Sequence, residues 1–378
     1  MSIKTLSKKM LAIVVAGAMT MGLAMSTSVF ATGGDTATKV TEAYISKTFN
    51  TEVGKDEAFS FTATQVTGST ANVTIPNITF AGTDTGSKTK RVQVTFPEEW
   101  PDAGKYEYTV TETGATPAIT DTKHQTMIMS KAEYTMDVYV SNNGSGFEIS
   151  NIIVNKKKDD KGTAATGKVD ISNTDKNGFK FTNTYVQEAG TGIDPVNPGP
   201  DYTKYGSLDV SKIIKTDAAD TADTNKEFDF TATFTFPAGT NAATLGAKAT
   251  IDGIATDITG TSHTFKLKHN QNVKFTGLPV GTKISVTESG TPNYKGSADV
   301  VINNGTKETK TATRYGEALT VSDKSLGQNK NTVDVTNTYN YVPATGIIMN
   351  TLPYVLMIAL CGAALMAFVA FKRRRLQK

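Results

Sequence analysis

The chain has 378 residues, 39 Lys and Arg against 36 Asp and Glu, and a formal net charge of +3. Nothing in that balance argues for a nucleic-acid partner, and the length suits two domains, each able to bury its own core. A single cysteine, Cys361, excludes a disulfide scaffold. Three scattered histidines, His124, His263 and His269, lack metal-ligand spacing, so they are expected at the surface, with no metal and no cofactor.

At the amino end, Lys4, Lys8 and Lys9 precede an apolar run from Leu11 to Ala24. Val29-Phe30-Ala31 then places small residues at the third-last and last positions of a cleavage site. Residues 1–31 therefore read as a secretory signal peptide, cut after Ala31. Without this segment and the basic tail, the exported part is close to neutral.

From residue 35 to 340 the sequence carries one pattern twice. Ile45-Ser46-Lys47 matches Val210-Ser211-Lys212, and Phe59 to Thr64 matches Phe228 to Thr233. Val110-Thr111-Glu112-Thr113-Gly114 matches Val286-Thr287-Glu288-Ser289-Gly290, and Thr182-Asn183-Thr184-Tyr185 recurs as Thr336-Asn337-Thr338-Tyr339. Two homologous domains follow, at 35–186 and 204–340, joined by a Gly- and Pro-rich segment 187–203 expected to be an extended, semi-stiff linker. Short alternating runs rich in Thr, Val, Phe and Tyr, such as Tyr134 to Val140 and Phe147 to Val154, are separated by turn clusters such as Asn142 to Gly146. Both domains are expected to be all-β sandwiches.

Alternation also assigns side chains to faces. Lys47 shares a face with Ile45 and Phe49, and Lys212 with Leu208, Val210 and Ile214. Glu112 shares one with Tyr108 and Val110, and Glu288 with Ile284 and Val286. Asn183 lines up with Phe179, Phe181 and Tyr185, and Asn337 with Val333, Val335 and Tyr339. A buried unpaired charge must pair, neutralise or react. Burial lowers a lysine pKa and raises that of a glutamate. A neutral amine is a nucleophile, and a protonated carboxyl beside an amide can polarise its carbonyl and shuttle protons. Attack of the lysine on the asparagine carbonyl expels ammonia and leaves an amide that ties the first strand to the last. By analogy with disulfides, closing a loop this long contributes roughly 5 kcal/mol. Lys39 and Lys215 are rival nucleophiles, but Lys39 precedes the repeated strand and Lys215 falls on the outward face.

At the carboxyl end, Val342-Pro343-Ala344-Thr345-Gly346 precedes an apolar stretch, Leu352 to Phe371, and then the basic tail 372–378, which begins Lys372-Arg373-Arg374-Arg375. The stretch matches the roughly 20 residues a bilayer-spanning helix needs, and the basic cluster is a stop signal. The combination resembles the cell-wall sorting signal of Gram-positive surface proteins. That resemblance implies a sortase that cuts between Thr345 and Gly346 and joins the Thr345 carboxyl to an amine. Val342 stands where Leu is commoner.

The Lys, Glu and Asn motifs resemble the intramolecular isopeptide domains of Gram-positive pilins. The first domain, through Tyr106 to Glu112 and Gly178 to Tyr185, is similar to the Spy-type backbone-pilin domain. The second, through Phe275 to Thr282, is similar to the Ig-like collagen-adhesin B-type repeat. The resemblance implies Lys47–Asn183 and Lys212–Asn337 as bonded pairs, with Glu112 and Glu288 as their catalytic acids. It further implies a pilus backbone subunit on the cell wall, with sortase, copies of itself, tip or base pilins and peptidoglycan as partners. In similar streptococcal pilins the acceptor lysine precedes the Asn-bearing strand, which points to Lys176, with Lys156 to Lys158 and Lys161 as alternatives. The Lys156 run with Asp159 and Asp160 otherwise reads as a solvated charged loop. A singly displayed adhesin or stalk is the alternative, with Trp100 as a candidate contact residue, although a partly buried loop aromatic suits Trp100 better. An enzyme acting on external substrates is not expected: Glu98 and Glu99 are merely adjacent, and no site constellation is present.

Overall fold

The computed structural model describes residues 39–216, 222–340 and 346–375. The expected signal peptide, 1–31, and residues 342–345 of the sortase motif lie outside the described residues.

The first domain is built from β1 (Tyr44–Thr51), β2 (Glu57–Thr67), β3 (Ile78–Phe80), β4 (Gly86–Gln93) and β5 (Gly104–Thr116), followed by β6 (Gln125–Ile128), β7 (Glu133–Asn142), β8 (Phe147–Lys158), β9 (Ala164–Val169) and β10 (Gly178–Gln187). A four-stranded sheet, β4-β1-β10-β6, packs on a six-stranded sheet, β3-β2-β5-β7-β8-β9. Their inward residues form one core that includes Ile45, Phe49, Phe59, Tyr108, Val110, Val138, Phe179 and Phe181. Each such side chain contributes about 1.5–3 kcal/mol by leaving water.

A short helix, α1 (Pro200–Tyr205), leads into the second domain. Its strands are β11 (Leu208–Thr216), β12 (Phe228–Thr235), β13 (Lys248–Ile251), β14 (Ile254–Asp257), β15 (Ser262–Leu267) and β16 (Asn272–Thr276), then β17 (Lys283–Glu288), β18 (Tyr294–Val301), β19 (Glu308–Thr311), β20 (Leu319–Ser325) and β21 (Thr332–Tyr339). Seven strands, β14-β13-β16-β11-β21-β18-β19, pack on four, β15-β12-β17-β20, around a second core. The pattern of β12, Phe-Asp-Phe-Thr-Ala-Thr-Phe-Thr, buries every second residue, Phe228, Phe230, Ala232 and Phe234, as a period of two requires.

In each domain the first and last strands are parallel neighbours. β1 pairs with β10 from Tyr44↔Gly178 to Thr51↔Tyr185, and β11 with β21 from Asp209↔Thr332 to Thr216↔Tyr339. Parallel partners cannot be joined by a tight hairpin, so the rest of the domain makes the crossover. The chain therefore enters at one end of this pair and leaves at the other.

The segment 187–203 differs from the extended linker expected. Its first residues are buried: Gln187, Glu188, Ala189 and Thr191 are at most 3% exposed. Ala189 N–H donates to Leu278 C=O at 2.8 Å, and Val280 N–H to Gln187 C=O at 2.8 Å. The Glu188 carboxylate accepts from Tyr202 and Ser207 hydroxyls, each at 2.8 Å, and from the Gly277 N–H. Composition suggested an exposed spacer; a buried glutamate with three donors anchors its start to the second domain instead.

The last helix, α2, runs Gly346–Arg375. Several of its large apolar residues, among them Val355, Ile358, Leu365 and Phe368, are exposed. Among the described residues no helix is long and apolar enough to cross a membrane; side chains 352–354, 370 and 371 of the expected span lie outside them.

Gly178 opens β10 directly against β1, where a Cβ would fall 2.3 Å from the Tyr44 carbonyl oxygen. Gly178→Ala is expected to destabilise the first domain by about 1–3 kcal/mol, the usual cost of overpacking. Gly167→Ala in β9, where a Cβ meets nothing within 4 Å, is the control. Thermal unfolding of the two variants separates them.

Candidate functional site: a buried lysine, glutamate and asparagine in each domain

β1 carries Lys47 inward between Ile45 and Phe49, and its residue exposure is 0%. β10 carries Asn183 inward, also at 0%. The parallel register sets Lys47 opposite Phe181 and Asn183 opposite Phe49, so the two polar side chains are neighbours on one face of one sheet. β5 supplies Glu112 from the facing sheet. Lys47 Nζ donates to Glu112 Oε1 at 2.7 Å and Oε2 at 2.8 Å, and Asn183 Nδ2 donates to Oε1 at 2.7 Å. The amine lies 4.3 Å from the centre of the Phe59 ring, and Phe61 packs on Phe181 at 5.2 Å. The set is a polar knot inside an aromatic cage.

The second domain repeats it. Lys212 is 0% exposed, and its Nζ donates to Glu288 Oε1 at 2.5 Å. Asn337 Nδ2 donates to the same oxygen at 2.6 Å. Phe228 and Phe230 lie 4.2 and 5.6 Å from the amine. β11 and β21 again place lysine and asparagine two register positions apart, Lys212 opposite Val335 and Ile214 opposite Asn337.

Burial sets the electrostatics. Loss of water pulls Lys47 and Lys212 each down to about 8, against the partial opposition of their glutamates. The same burial pushes Glu112 and Glu288 above the carboxylate range, again against the pull of the facing lysine. Both shifts favour moving one proton from amine to carboxylate, which leaves a neutral nucleophile beside a protonated acid.

One detail departs from expectation. The glutamates do not face the amide oxygens they were expected to polarise; Oε1 faces the amide nitrogen in both domains. In the first domain Asn183 Oδ1 instead accepts from the Ser130 main-chain N–H at 2.6 Å. Reversing that amide would set its NH2 against the Ser130 N–H, two donors facing each other. In the second, Asn337 Oδ1 is buried with no hydrogen-bond partner among the described residues.

The other sequence candidates fall elsewhere. Lys215 is exposed at the end of β11, and Lys39 precedes β1. Lys176 is exposed in the turn before β10, with a left-handed φ of 50°. Lys156 lies 6.0 Å from the Tyr134 ring, Lys158 pairs with Glu133 at 2.6 Å, and Lys161 is exposed. Asp160 is not part of a merely solvated loop: its Oδ1 accepts from Ser130 Oγ at 2.5 Å and Thr182 N–H at 2.9 Å. Main-chain roles such as that of Ser130 have no sequence signature, and Asp160 was masked by the charged run around it. Trp100 is a core residue, 7% exposed and 4.7 Å from the Tyr106 ring. Glu98 and Glu99 are exposed.

The histidines, expected at the surface, are drawn into packing. His124 is 5% exposed and pairs with Asp121 at 2.8 Å, His263 stacks near Phe265, and His269 Nδ1 accepts from Ile214 N–H at 2.9 Å. Among the described residues no group of His, Cys, Asp or Glu is placed to hold a metal ion.

Fold and site define a class: tandem β-sandwiches, each with a lysine, an acid and an asparagine shut in its core. Residues 38–186 match the FctA family, described as a Spy0128-like isopeptide containing domain. Over those residues the first domain is similar to Spy0128-like isopeptide domains, as its lysine, glutamate and asparagine motifs suggest. Residues 206–339 match a domain of unknown function, DUF7601. No curated protein matches. Among solved structures, the major pilin of Streptococcus pyogenes is 18% identical, with 80% of this chain and all of that one covered, at a TM-score of 0.33. The T3.2 major pilin of the same organism is 21% identical over 80% of this chain and 99% of that one, at a TM-score of 0.32.

The lysine shift has a pH consequence in a chain that retains its amine. In Asn183→Ala, the unfolded state holds the Lys47 proton up to about 10.5, while the native state loses it near 8. More protons are bound unfolded across that window, so stability rises with pH through it, by up to about 3 kcal/mol. The raised Glu112 acts with the opposite sign, its contribution being lost as pH climbs above the ordinary carboxylate range. Urea unfolding from pH 7 to 10.5 is expected to show the rise in Asn183→Ala and not in Lys47→Leu/Asn183→Ala.

Proposed function

We propose that the chain is a structural subunit of a sortase-polymerised, wall-anchored pilus, and that each domain is locked by a self-formed Lys–Asn isopeptide bond. The observation that carries this is the duplicated buried set: Lys47, Glu112 and Asn183, and Lys212, Glu288 and Asn337, each spanning the parallel first and last strands. An ion pair left unreacted in an apolar core gives little net stability for the desolvation it costs. Reaction removes the cost.

The step balances without a co-reactant. The ammonium gives one proton to the glutamate, and the neutral Nζ attacks the asparagine Cγ. A C–N bond forms and the carbonyl π electrons move to Oδ1. The acid proton passes to Nδ2, and the second amine proton takes its place on the glutamate. The Cγ–Nδ2 bond breaks, ammonia leaves, and the glutamate stays protonated, as it was at the moment of attack. Amine plus primary amide gives secondary amide plus ammonia. Glu112 and Glu288 act as proton carriers for a single turnover.

The topology gives the bond its purpose. Tension entering at the start of β1 and leaving at the end of β10 shears the parallel pair. A covalent link from Lys47 to Asn183 carries that force across the sheet, so the intervening chain is not extended. β11 and β21 repeat the arrangement, and the two domains act in series.

Assembly follows from the ends. Val342 to Gly346 supplies the sortase motif, α2 with its exposed apolar residues holds the precursor in the membrane after export, and the basic tail stops transfer. Joining Thr345 of one subunit to Lys176 of the next is a heterologous, non-closing contact and makes a filament on the cell wall. Lys176 is exposed, in a turn tied down by Asn177 Oδ1 accepting from Ser172 N–H at 2.6 Å.

Peptide mass spectrometry of the digested full chain tests the locks. The expected products are Lys47–Asn183 and Lys212–Asn337 cross-linked peptides, each lighter by one ammonia. Glu112→Ala should abolish the first alone and Glu288→Ala the second alone; unmodified peptides in the parent chain sink the reading. For assembly, co-expression with the cognate sortase should give detergent-resistant ladders that Lys176→Arg abolishes. Ladders that persist would move the acceptor to another lysine.

A further inference from the structure

The two sites share their lysine, acid and asparagine but differ at one atom. Asn183 Oδ1 is met by the Ser130 N–H at 2.6 Å, whereas Asn337 Oδ1 is buried and has no partner among the described residues. That oxygen takes the negative charge when the amine adds to Cγ. A fixed donor aimed at it stabilises the transition state more than the ground state.

The donor is held in place. Ser130 Oγ donates to Asp160 Oδ1 at 2.5 Å and accepts from the Ala132 N–H at 3.2 Å. The Lys131 N–H donates to the Asp160 carbonyl at 2.9 Å. Asp160 Oδ1 also accepts from the Thr182 N–H at 2.9 Å, next to Asn183 itself. The β6–β7 connection and β10 are thus tied through one carboxylate. In the second domain, Gly296 of β18 lies opposite Asn337, and a Cβ there would come within 3.2 Å of Oδ1. That side of the amide is closed by Gly296 and Leu319 and offers no donor among the described residues.

Resting on the isopeptide reading above, we infer that the Ser130 main-chain N–H is an oxyanion donor for the Lys47–Asn183 reaction, and that the second domain closes its bond without one. Attack by Nζ pushes the carbonyl electrons onto Oδ1, where the N–H holds them. Collapse returns them to the carbonyl as Nδ2 leaves as ammonia, protonated through Glu112. Asp160 is a positioning residue: it orients the donor and does not touch the reacting atoms.

The two sites in one chain form an internal comparison. The full chain is made by cell-free translation in detergent, quenched in acid at intervals and digested, and both cross-linked peptides are quantified. The Lys47–Asn183 bond is expected to form at least tenfold faster than Lys212–Asn337. Replacing Ser130 by its α-hydroxy acid turns that amide into an ester, which removes the N–H and keeps the chain's shape. The loss of an oxyanion donor typically slows a reaction by about 100- to 1000-fold, and the ester should slow the first bond on that scale while leaving the second unchanged. Ser130→Ala keeps the N–H but removes the Oγ bond to Asp160 that positions it, so it should slow the first bond by less than the ester does and leave the second unchanged. If neither bond forms in the parent, the isopeptide reading itself falls. If both form and the ester leaves the Lys47–Asn183 rate unaltered, the isopeptide reading stands and the donor role is overturned. Should the ester chain fail to fold by circular dichroism, the parent decides: equal rates, or a faster second domain, overturn the inference.

Discussion

An amine, a carboxyl and an amide shut into an apolar core with no access to water govern everything else in this protein. Lys47 and Lys212 are wholly buried, and each has a carboxylate and an aromatic ring for company. In that setting burial disfavours the charged form of both partners, lowering the amines and raising the carboxyls, so that each shift favours proton transfer from nitrogen to oxygen. The cost of burying charge thereby becomes the means of making a nucleophile.

The cage is as important as the reactants. Phe49, Phe59, Phe61 and Phe181 around Lys47, and Phe228 and Phe230 beside Lys212, exclude water and fix the side chains. The parallel pairing of first and last strands then brings lysine and asparagine onto one face, two register positions apart. That pairing serves two ends, since it is also the line along which a pulled domain is sheared. In the proposed pilus role the same two strands would supply the chemistry and bear the force.

Duplication did not yield identical sites. One asparagine oxygen has a main-chain donor fixed by Asp160 and the other has none among the described residues. The difference arises in connections rather than strands: the β6–β7 turn of the first domain reaches its asparagine, while the second domain presents Gly296 of β18 there. Between the domains, Glu188 binds two hydroxyls and an N–H, which converts a Gly- and Pro-rich stretch into a docked segment at its start.

The sequence by itself determined the strand character of both domains, the repeat, and the inward placement of all three polar residues in each. A period of two fixes the face of Lys47, Glu112 and Asn183 as soon as their apolar neighbours are known. Only the tertiary structure decided which atoms of those residues meet. Nothing in the alternation says that the glutamate faces the amide nitrogen rather than the oxygen, because that depends on how two sheets are set against each other. Ser130 acts through a main-chain N–H, which its residue type does not encode, and Asp160 looked solvated amid lysines and aspartates. His124 and Glu188 were equally illegible, since their burial comes from elements distant in sequence packing over them. Local pattern records which way a side chain points; long-range packing determines what it finds there.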